Sequence, residues 1–580
     1  MEQRNLILAI VASLIILLGW QFLFVEPQER QRQAQLERQQ QREQAVQTPA
    51  PEGLDPSLPA PETAPGIPGA VRARPEVLAE AERVVIRSPQ LRGSVNLVGG
   101  RIDDLVLTRY RETVNPASPE IVLLSPSGAV DPYYAEFGWI DADNKTYGVR
   151  GARWTTQGKS LSPGVPLEMS WQSEAGLSFT RTIEVDDNFM FTVTQRVENL
   201  GDEAVQLYPF GRIIRFNTPD TLGFYILHEG PIGVLDGTLK EVDYDDLRDD
   251  GPVVTETTGG WIGITDKYWL TALVPDQKEA ATTRFTHTSA NGTDRYQADF
   301  RGEAKRLEPG ASVEVTNRLF AGAKRVQILD TYRDRFGIDR FDMAIDFGWF
   351  FFLTKPLLGV LIFFAEALGN FGLSILALTV IIKLIFFPLA NKSYKSMSRM
   401  KALQPKITEI KENFGEDRQK MQQEMMALYK REKVNPVSGC LPMVIQIPVF
   451  FALYKVLFVS IEMRQAPFYG WIKDLSLQDP TSVFNLFGLI PWDPPSFLIL
   501  GAWPLIMGIS MFLQQKLNPA PADPVQAKVF LLMPVVFTIF LARFPAGLVI
   551  YWAWNNILSM AQQYVIMRRM GVAIGGGKTA

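Results

Sequence analysis

Five apolar segments, separated by polar loops, fill most of the C-terminal third of the chain and constrain its fold more than any other feature. An α-helix needs about 20 residues to cross a bilayer core of ~30 Å, and each segment is close to that length. They lie at about 371–389, 438–459, 497–515, 528–543 and 546–566. We therefore expect an α-helical polytopic membrane protein in contact with the lipid bilayer.

The N-terminus carries one more apolar run, at residues 6–25. A cleaved signal peptide would end in small residues before its cleavage site. This run ends instead in Trp20, Phe22 and Phe24, which are too bulky for a signal peptidase. The pattern predicts an uncleaved signal anchor at 1–25, and with it six transmembrane helices.

The aromatic stretch at 341–368 is interpreted as an interfacial amphipathic helix that lies along the membrane. Lys355, Pro356 and Glu366 interrupt its apolar character. A full membrane span is the alternative, and the sequence leaves it open.

Between the anchor and the membrane core, two regions of different composition follow each other. Residues 26–80 are rich in Gln, Arg, Glu, Pro and Ala, which predicts a disordered or extended tether. From 81 to 322 the apolar residues alternate with polar ones and Gly-containing turns recur, which predicts an all-β sandwich. The run from Ile183 to Val197 shows this alternation most clearly, with a turn at Asp187 and Asn188.

The expected organisation of the whole chain follows from these patterns. It is a signal anchor at 1–25, a tether at 26–80, a β domain at 81–322, a linker helix and interfacial helix at 323–370, a membrane core at 371–570 and a flexible tail at 571–580.

Loop charge predicts the orientation of the spans. Residues 391–436 contain eleven Lys and Arg residues, whereas the next loop has only Arg464 and Lys473. The positive-inside rule places the basic loop and both termini in the cytoplasm. Residues 26–340 are then periplasmic, and the protein is expected in a bacterial inner membrane.

Composition excludes several classes of function. One cysteine and two histidines cannot form a zinc-type ligand cluster, and the net charge of −4 does not suit direct nucleic-acid binding. No nucleotide-binding loop, nucleophile motif or His-based triad occurs in the membrane half. We expect no catalytic residues, no cofactor and no metal.

The basic loop has helical apolar spacing and predicts a cytoplasmic hairpin at 391–436. One interpretation is an antiparallel pair whose apolar stripes face each other. The other is a flexible arm whose methionines receive apolar segments of other proteins. Both remain open, and the residues concerned are Met397, Met400, Met421 and Met425.

Polar residues inside the apolar segments predict a hydrated groove. Such residues are costly in a bilayer and usually face a cavity or a partner helix. Lys383 and Thr379 lie one helical turn apart in the second span, and Gln446 lies in the third. The last span carries a polar stripe at helical spacing, made of Tyr551, Asn555, Ser559 and Gln562.

Several sequence blocks resemble the YidC/Oxa/Alb insertase family. The blocks are KVNPVSGCLPMVIQIP at 433–448, RQAPFYGWIKDLSLQDP at 464–480 and FPAGLVIYWAWNN at 544–556. GGWIGITDKYWLTALVP at 259–275 and FAGAKRVQILDTY at 320–332 are similar to the Gram-negative YidC branch of this family. The resemblance covers nearly the whole chain except the tether.

The resemblance implies a membrane protein insertase and chaperone, which works alone or with the Sec translocon on nascent and unfolded membrane protein clients. It implies that five helices form the insertase core and that the β domain is a periplasmic supersandwich like that of sugar mutarotases. The family's groove arginine falls on Lys383, its threonine on Thr379, its glutamine on Gln446, and its client-contacting aromatic pair on Tyr551 and Trp552.

Two departures from the family pattern bear on function. Lys383 keeps the positive charge but lacks the forked guanidinium, so bidentate recognition of a client carboxylate is not expected. The tail at 571–580 is short, so we expect at most a transient ribosome contact. A membrane-anchored periplasmic carbohydrate-binding protein and a transporter are the alternative functions.

Overall fold

The computed structural model describes most of the chain after residue 71. The described residues are 72–221, 227–290, 292–348, 351–414, 417–432, 434, 441–492, 494–495, 499–517 and 524–569. The predicted anchor at 1–25, the tail at 571–580 and most of the tether at 26–80 lie outside them.

Twenty strands lie among the described residues between Arg83 and Ala323. They are β1 (Arg83–Arg87), β2 (Leu91–Asn96), β3 (Arg101–Arg111), β4 (Glu120–Leu124), β5 (Tyr133–Asp141), β6 (Thr146–Tyr147), β7 (Ser160–Leu161), β8 (Leu167–Gln172), β9 (Leu177–Val185), β10 (Met190–Asn199), β11 (Val205–Phe216), β12 (Gly230–Leu235), β13 (Thr238–Glu241), β14 (Val253–Thr258), β15 (Trp261–Thr265), β16 (Trp269–Val274), β17 (Ala280–Ala290), β18 (Thr293–Gly302), β19 (Lys305–Leu307) and β20 (Ser312–Ala323).

These strands form two large sheets that share one apolar core. The twelve-stranded sheet has the order β14-β17-β18-β11-β5-β3-β2-β1-β7, with β19, β4 and β6 at its sides. The eight-stranded sheet has the order β13-β12-β15-β16-β20-β10-β9-β8. In the β9–β10 hairpin, alternate residues from Ile183 to Val197 are buried, so the predicted period-two pattern is confirmed.

Two short α-helices lie before and within the β domain, and the described residues after it are mainly helical. In chain order the helices are α1 (Arg74–Leu78), α2 (Tyr244–Asp249), α3 (Val326–Phe336), α4 (Phe351–Leu368), α5 (Phe371–Ile385), α6 (Phe387–Ala402), α7 (Gln404–Phe414), α8 (Arg418–Arg431), α9 (Leu441–Val459), α10 (Ala502–Leu517), α11 (Pro524–Leu541) and α12 (Ala546–Arg569).

Fewer of the described helices are long and apolar enough to cross a membrane than the number of spans that the sequence predicts. The helix α4 is long and apolar enough to cross a membrane, and α5 with the first part of α6 passes the same test as a bent pair. Gln446–Val459 and Lys528–Leu541 are shorter apolar helical segments. The six-span arrangement and the interfacial placement of 341–368 therefore stay predictions.

The helix expected over 371–389 ends at Ile385, and the chain then turns by 69° into α6. Pro388 accounts for the break, because a proline lacks the backbone N–H and its ring clashes with the carbonyl of the residue four positions earlier. The helical hairpin expected at 391–436 also begins later than predicted. Its first residues belong to α6, and the pair itself consists of α7 and α8.

The β domain contacts the helical half through the segment that follows α9. Arg464 Nη2 donates to the carbonyl of Arg111 at 2.5 Å, and Gln465 Nε2 donates to the same oxygen at 2.9 Å. The guanidinium of Arg464 also lies over the ring of Trp269, 5.5 Å from its centre. Lys455 of α9 pairs with Asp346 at 2.6 Å. These polar contacts hold the β domain and the segment that follows it next to the C-terminal end of α9.

Candidate functional site

Lys383 lies in the last turn of α5, where every neighbouring residue in sequence is apolar. Its Nζ donates a hydrogen bond of 2.8 Å to the hydroxyl of Ser559 on α12. Ser559 in turn donates to the carbonyl of Asn555 at 2.7 Å. The side chain of Tyr394 on α6 also interacts with Ser559. One serine on α12 therefore connects to α5 and α6.

A cavity of about 30 Å³ lies beside this contact. A water molecule needs about 10–15 Å³ of such space, so the cavity has room for about two waters. Four of its lining residues are polar or aromatic with a polar group, namely Lys383, Tyr394, Gln446 and Gln562. The remaining lining residues are apolar: Ile382, Phe386, Leu389 and Ala390.

Gln446 connects the cavity to the second turn of α12. Its Nε2 donates to the phenol oxygen of Tyr551. Tyr551 is fully buried, so this hydrogen bond satisfies a phenol that water does not reach. The adjacent Trp552 is half-buried and packs edge-on against Phe450 of α9, with 4.6 Å between ring centres.

Two polar atoms near the cavity are buried and have no hydrogen-bond partner within the described part of the chain. They are Asn555 Oδ1 and Gln562 Nε2, both on α12. Buried polar atoms in folded proteins are nearly always satisfied by protein groups or by water. Gln562 lines the cavity, so a polar group inside it lies close to this side chain, whereas Asn555 is not among the lining residues.

Thr379 does not belong to this cavity. Its hydroxyl donates to the carbonyl of Ile375 in its own helix at 2.6 Å, and its side chain is 1% exposed. The four-residue spacing from Lys383 is as predicted, but the threonine points its polar group back along α5. The structure therefore places Lys383, Gln446 and Gln562 on one cavity and leaves Thr379 outside it.

A second, larger cavity of about 440 Å³ adjoins the polar one and shares Ile382 and Phe386 with it. All of its lining residues are apolar: Leu353, Leu357, Ile382, Ile385, Phe386, Pro448 and Val449. They come from α4, α5, α9 and the α5–α6 turn. A small polar cavity and a large apolar one therefore lie side by side.

The α7–α8 pair matches the first interpretation of the basic loop. Leu403, Ile407, Leu428 and Val434 are buried together, with Met400 and Met425 packed against them. Met421 on α8 is half-buried. Met397 lies instead in α6 and packs on Tyr394 and Ile566. The apolar stripes of the two helices thus face each other, and Met397 is not part of the hairpin.

Tyr394 is the site residue that the sequence did not suggest. It lies near the cavity only because the chain turns at Phe386 and brings α6 back towards α12. The proline at 388 was the available signal for this turn. Asn556 was also missed as a contact residue, and its Nδ2 donates to Ser510 of α10 at 3.0 Å.

Comparison with known proteins assigns the chain to a family. A family model described as YidC periplasmic domain matches residues 83–360, and one described as 60Kd inner membrane protein matches residues 363–572. The membrane protein insertase YidC of Methylobacterium radiotolerans is 51% identical over 592 residues, covering 99% of this chain and 96% of that protein. The chain belongs to the YidC family.

A second YidC, from Rhizobium meliloti, is 50% identical over 580 residues and covers 99% of this chain and 97% of its own length. The crystal structure of an active YidC insertase with its first transmembrane domain resolved is 18% identical and covers 84% of this chain and 96% of that chain, at a TM-score of 0.36. The β domain matches the YidC periplasmic model, and all residues that line the polar cavity lie within the 60Kd inner membrane protein match.

Proposed function

We propose that this chain is a membrane protein insertase and chaperone of the bacterial inner membrane. The observation that carries the proposal is the adjacency of the two cavities. One presents a charged amine and amide groups, and the other presents only apolar side chains. A client with an apolar segment and a polar flank needs both environments at once. The insertase names of its relatives support the same function.

In this mechanism the polar flank of a client enters beside Lys383 while its apolar segment follows the apolar cavity towards lipid. The ammonium group attracts acidic residues in the flank through its positive field. Transfer of ~20 apolar residues into hydrocarbon provides the driving force, so the step needs no nucleotide. Gln446, Gln562 and Asn555 exchange water for polar groups of the passing flank. Trp552, which is half-buried, lies on the side of α12 past which the segment moves, and contact of the client with the buried Tyr551 requires its neighbours to move aside.

The proposed topology has six spans with both termini in the cytoplasm and residues 26–340 in the periplasm. The eleven basic residues at 391–436 support the cytoplasmic side of the α7–α8 pair. The match to an inner membrane protein family supports the location. Thr379 is assigned a packing role inside α5, because its hydroxyl is satisfied there.

The proposed partners are nascent and unfolded membrane protein clients, the Sec translocon and, transiently, the ribosome. The α7–α8 pair would meet a client first. Met425 of α8 and Met400, near the end of α6, pack against the interior of this pair, whereas Met426 is 50% exposed. Reception of a client by the methionines therefore requires either the exposed side of α8 or separation of the two helices.

Insertion into vesicles by the purified full-length chain tests the proposal. The client is a single-span protein whose translocated tail carries acidic residues, and protease protection of the tail measures insertion. We expect efficient protection with the wild type and a loss of about tenfold or more with Lys383→Glu, since a like charge in a buried groove repels the tail. Lys392→Glu, at an exposed lysine of α6, is the matched control and should retain insertion. Equal insertion with and without the wild-type chain would contradict the proposal.

A further inference from the structure

The connection between α9 and α10 ends in an apolar loop that faces away from the protein. Between Asp479 and Asp493 the sequence contains no charged residue. Six large apolar side chains of the loop are at least 44% exposed, and Leu489 reaches 83%. They are Phe484, Leu486, Phe487, Leu489, Ile490 and Trp492. Exposed apolar patches of this kind mark interaction sites.

The base of this loop is fixed by hydrogen bonds from one buried carboxylate. Asp479 Oδ1 accepts from Trp471 Nε1 at 3.1 Å and from the hydroxyl of Thr481 at 2.7 Å. Asp479 Oδ2 accepts from the backbone N–H of Trp503 at 2.9 Å, in the first turn of α10. Thr481 adds a bond from the N–H of Ala502 at 3.0 Å. The loop is therefore anchored directly to the N-terminal end of α10.

The tip of the loop has a backbone that apolar residues rarely adopt. Leu486 and Phe487 have φ values of 49° and 58°, in the left-handed region. This conformation is unfavourable for a residue with a side chain, so surrounding contacts are needed to hold it. The N–H of Phe487 donates to the carbonyl of Ser482 at 2.8 Å, and that of Ile490 to Asn485 at 3.0 Å. The apolar side chains are thus held outward by a closed turn.

The exposed apolar side chains of this loop are better suited to contact with lipid than with another protein. The loop offers no charged group between its two flanking aspartates, whereas protein interfaces carry a polar rim and favour arginine. It continues in the chain into α10, whose side chains Ile509 and Leu513 are 60% and 50% exposed. Trp471 and Trp492, both exposed near the loop base, are residues typical of the membrane interface.

We infer that the loop at 483–492 inserts into the outer leaflet of the bilayer and anchors the periplasmic end of α10 there. The inference rests on the proposed placement of α10 across the membrane. It does not require that the chain be active as an insertase. An apolar surface of this type lies ~5–10 Å deep, at the boundary between headgroups and acyl chains. Anchoring would fix the height of α10 and of the Asn556–Ser510 contact relative to the bilayer.

Site-directed fluorescence in vesicles tests the inference. The single cysteine, Cys440, is replaced by serine, and one new cysteine is placed by Leu489→Cys, Lys473→Cys or Ile509→Cys. Lys473 is an exposed residue on the same connection and is the aqueous control, and Ile509 is the lipid-facing reference. Each variant carries an environment-sensitive dye and is placed in phosphatidylcholine–phosphatidylglycerol vesicles. Lipid-borne nitroxides and aqueous iodide are the two quenchers.

We expect the dye at Leu489 to be quenched by nitroxide lipids and protected from iodide, like the dye at Ile509 and unlike the dye at Lys473. Iodide quenching at Leu489 equal to that at Lys473 would overturn the inference while leaving the span α10 intact. Protection from both quenchers would also overturn it, since a second protein surface would then cover the loop. Iodide quenching at Ile509 as well would show that the proposed placement of α10 fails.

Discussion

Lys383 of α5 donates a 2.8 Å hydrogen bond to Ser559 of α12, and this contact joins the two helices beside the small polar cavity. The hydroxyl of Ser559 uses its own proton on the carbonyl of Asn555. It therefore meets the lysine as an acceptor, which leaves the ammonium with donors free to face the cavity. Ser559 thus holds the ammonium at the cavity, and a second hydrogen bond, from Trp554 Nε1 to the carbonyl of Leu376 at 3.3 Å, also joins α12 to α5.

Removal of the Ser559 hydroxyl is expected to reduce insertion less than reversal of the charge at Lys383. In Ser559→Ala, cavity water can replace the hydroxyl, so insertion of an acidic-tailed client should fall by about two- to threefold. Ser559→Thr keeps the hydroxyl and is the matched control. Initial rates of tail protection in vesicles measure the effect. A loss in Ser559→Ala as large as that in Lys383→Glu would contradict this order of effects.

Thr379 and Gln446 are expected to differ in their sensitivity to apolar replacement. Thr379→Val removes a hydroxyl that is satisfied inside its own helix, so insertion should stay within about twofold of the wild type. Gln446→Leu leaves the buried phenol of Tyr551 without its hydrogen-bond partner. The free energy of unfolding in detergent should therefore fall by about 1–3 kcal/mol. Insertion into vesicles and thermal unfolding in detergent are measured for both variants. If Thr379→Val lost as much insertion activity and stability as Gln446→Leu, the assigned hydrogen bonds of Thr379 and Gln446 would be contradicted.

The α7–α8 pair should behave as a packed unit rather than a flexible arm. Ile407 is 3% exposed in its apolar interior, and Ile407→Ala removes packing worth about 2–5 kcal/mol. We expect trypsin to cleave the basic residues of α7 and α8 much faster in this variant than in the wild type. Glu409→Ala, at an exposed position of α7, is the control. Rapid cleavage of the wild type itself would favour the flexible-arm interpretation.

The β domain should lose stability in acid through Glu136. Burial alone would raise the pKa of this carboxyl, but the guanidinium groups of Arg212 and Arg101 outweigh it and lower the pKa to about 2. A pKa lowered by folding stabilises the native state above the unfolded value of about 4.5, and this stabilisation is lost as the pH falls towards 2. The shift corresponds to a stabilisation on the order of 3 kcal/mol at neutral pH.

Thermal unfolding of the full chain in detergent between pH 7 and pH 2 tests this linkage. Glu136→Gln should lower the Tm strongly at pH 7, and its difference from the wild type should shrink below pH 4.5. Glu168→Gln, at an exposed position of β8, should have little effect throughout. A Tm difference for Glu136→Gln that grows with acidity would contradict the assigned sign.

Local patterns predict the β domain well because its strands alternate clearly. The β9–β10 hairpin, with Val185 opposite Phe191, follows directly from the alternation and the turn between them. The order of the strands could not be predicted in this way. The strand β11 pairs with β5 and β18, which are distant from it in the chain, and such pairings depend on the whole core.

The sequence predicts several of the residues that form the groove, but it does not predict how they are arranged in space. Helical spacing places Ser559 and Gln562 on one face of α12, and both lie at the Lys383 cavity. The same spacing places Thr379 with Lys383, but a hydroxyl close to a carbonyl of its own helix bonds there instead. Tyr394 enters the site through the turn at Phe386, a tertiary feature that helical periodicity does not report.

Site-specific photocrosslinking to a stalled nascent membrane protein tests whether clients pass through the groove. A photoreactive residue replaces Gln446 in the cavity or, as the control, Ile539 on the exposed face of α11. We predict that position 446 crosslinks to the polar flank of the client and that position 539 crosslinks to it much less. Crosslinking at position 539 without crosslinking at position 446 would contradict the passage of clients through the groove.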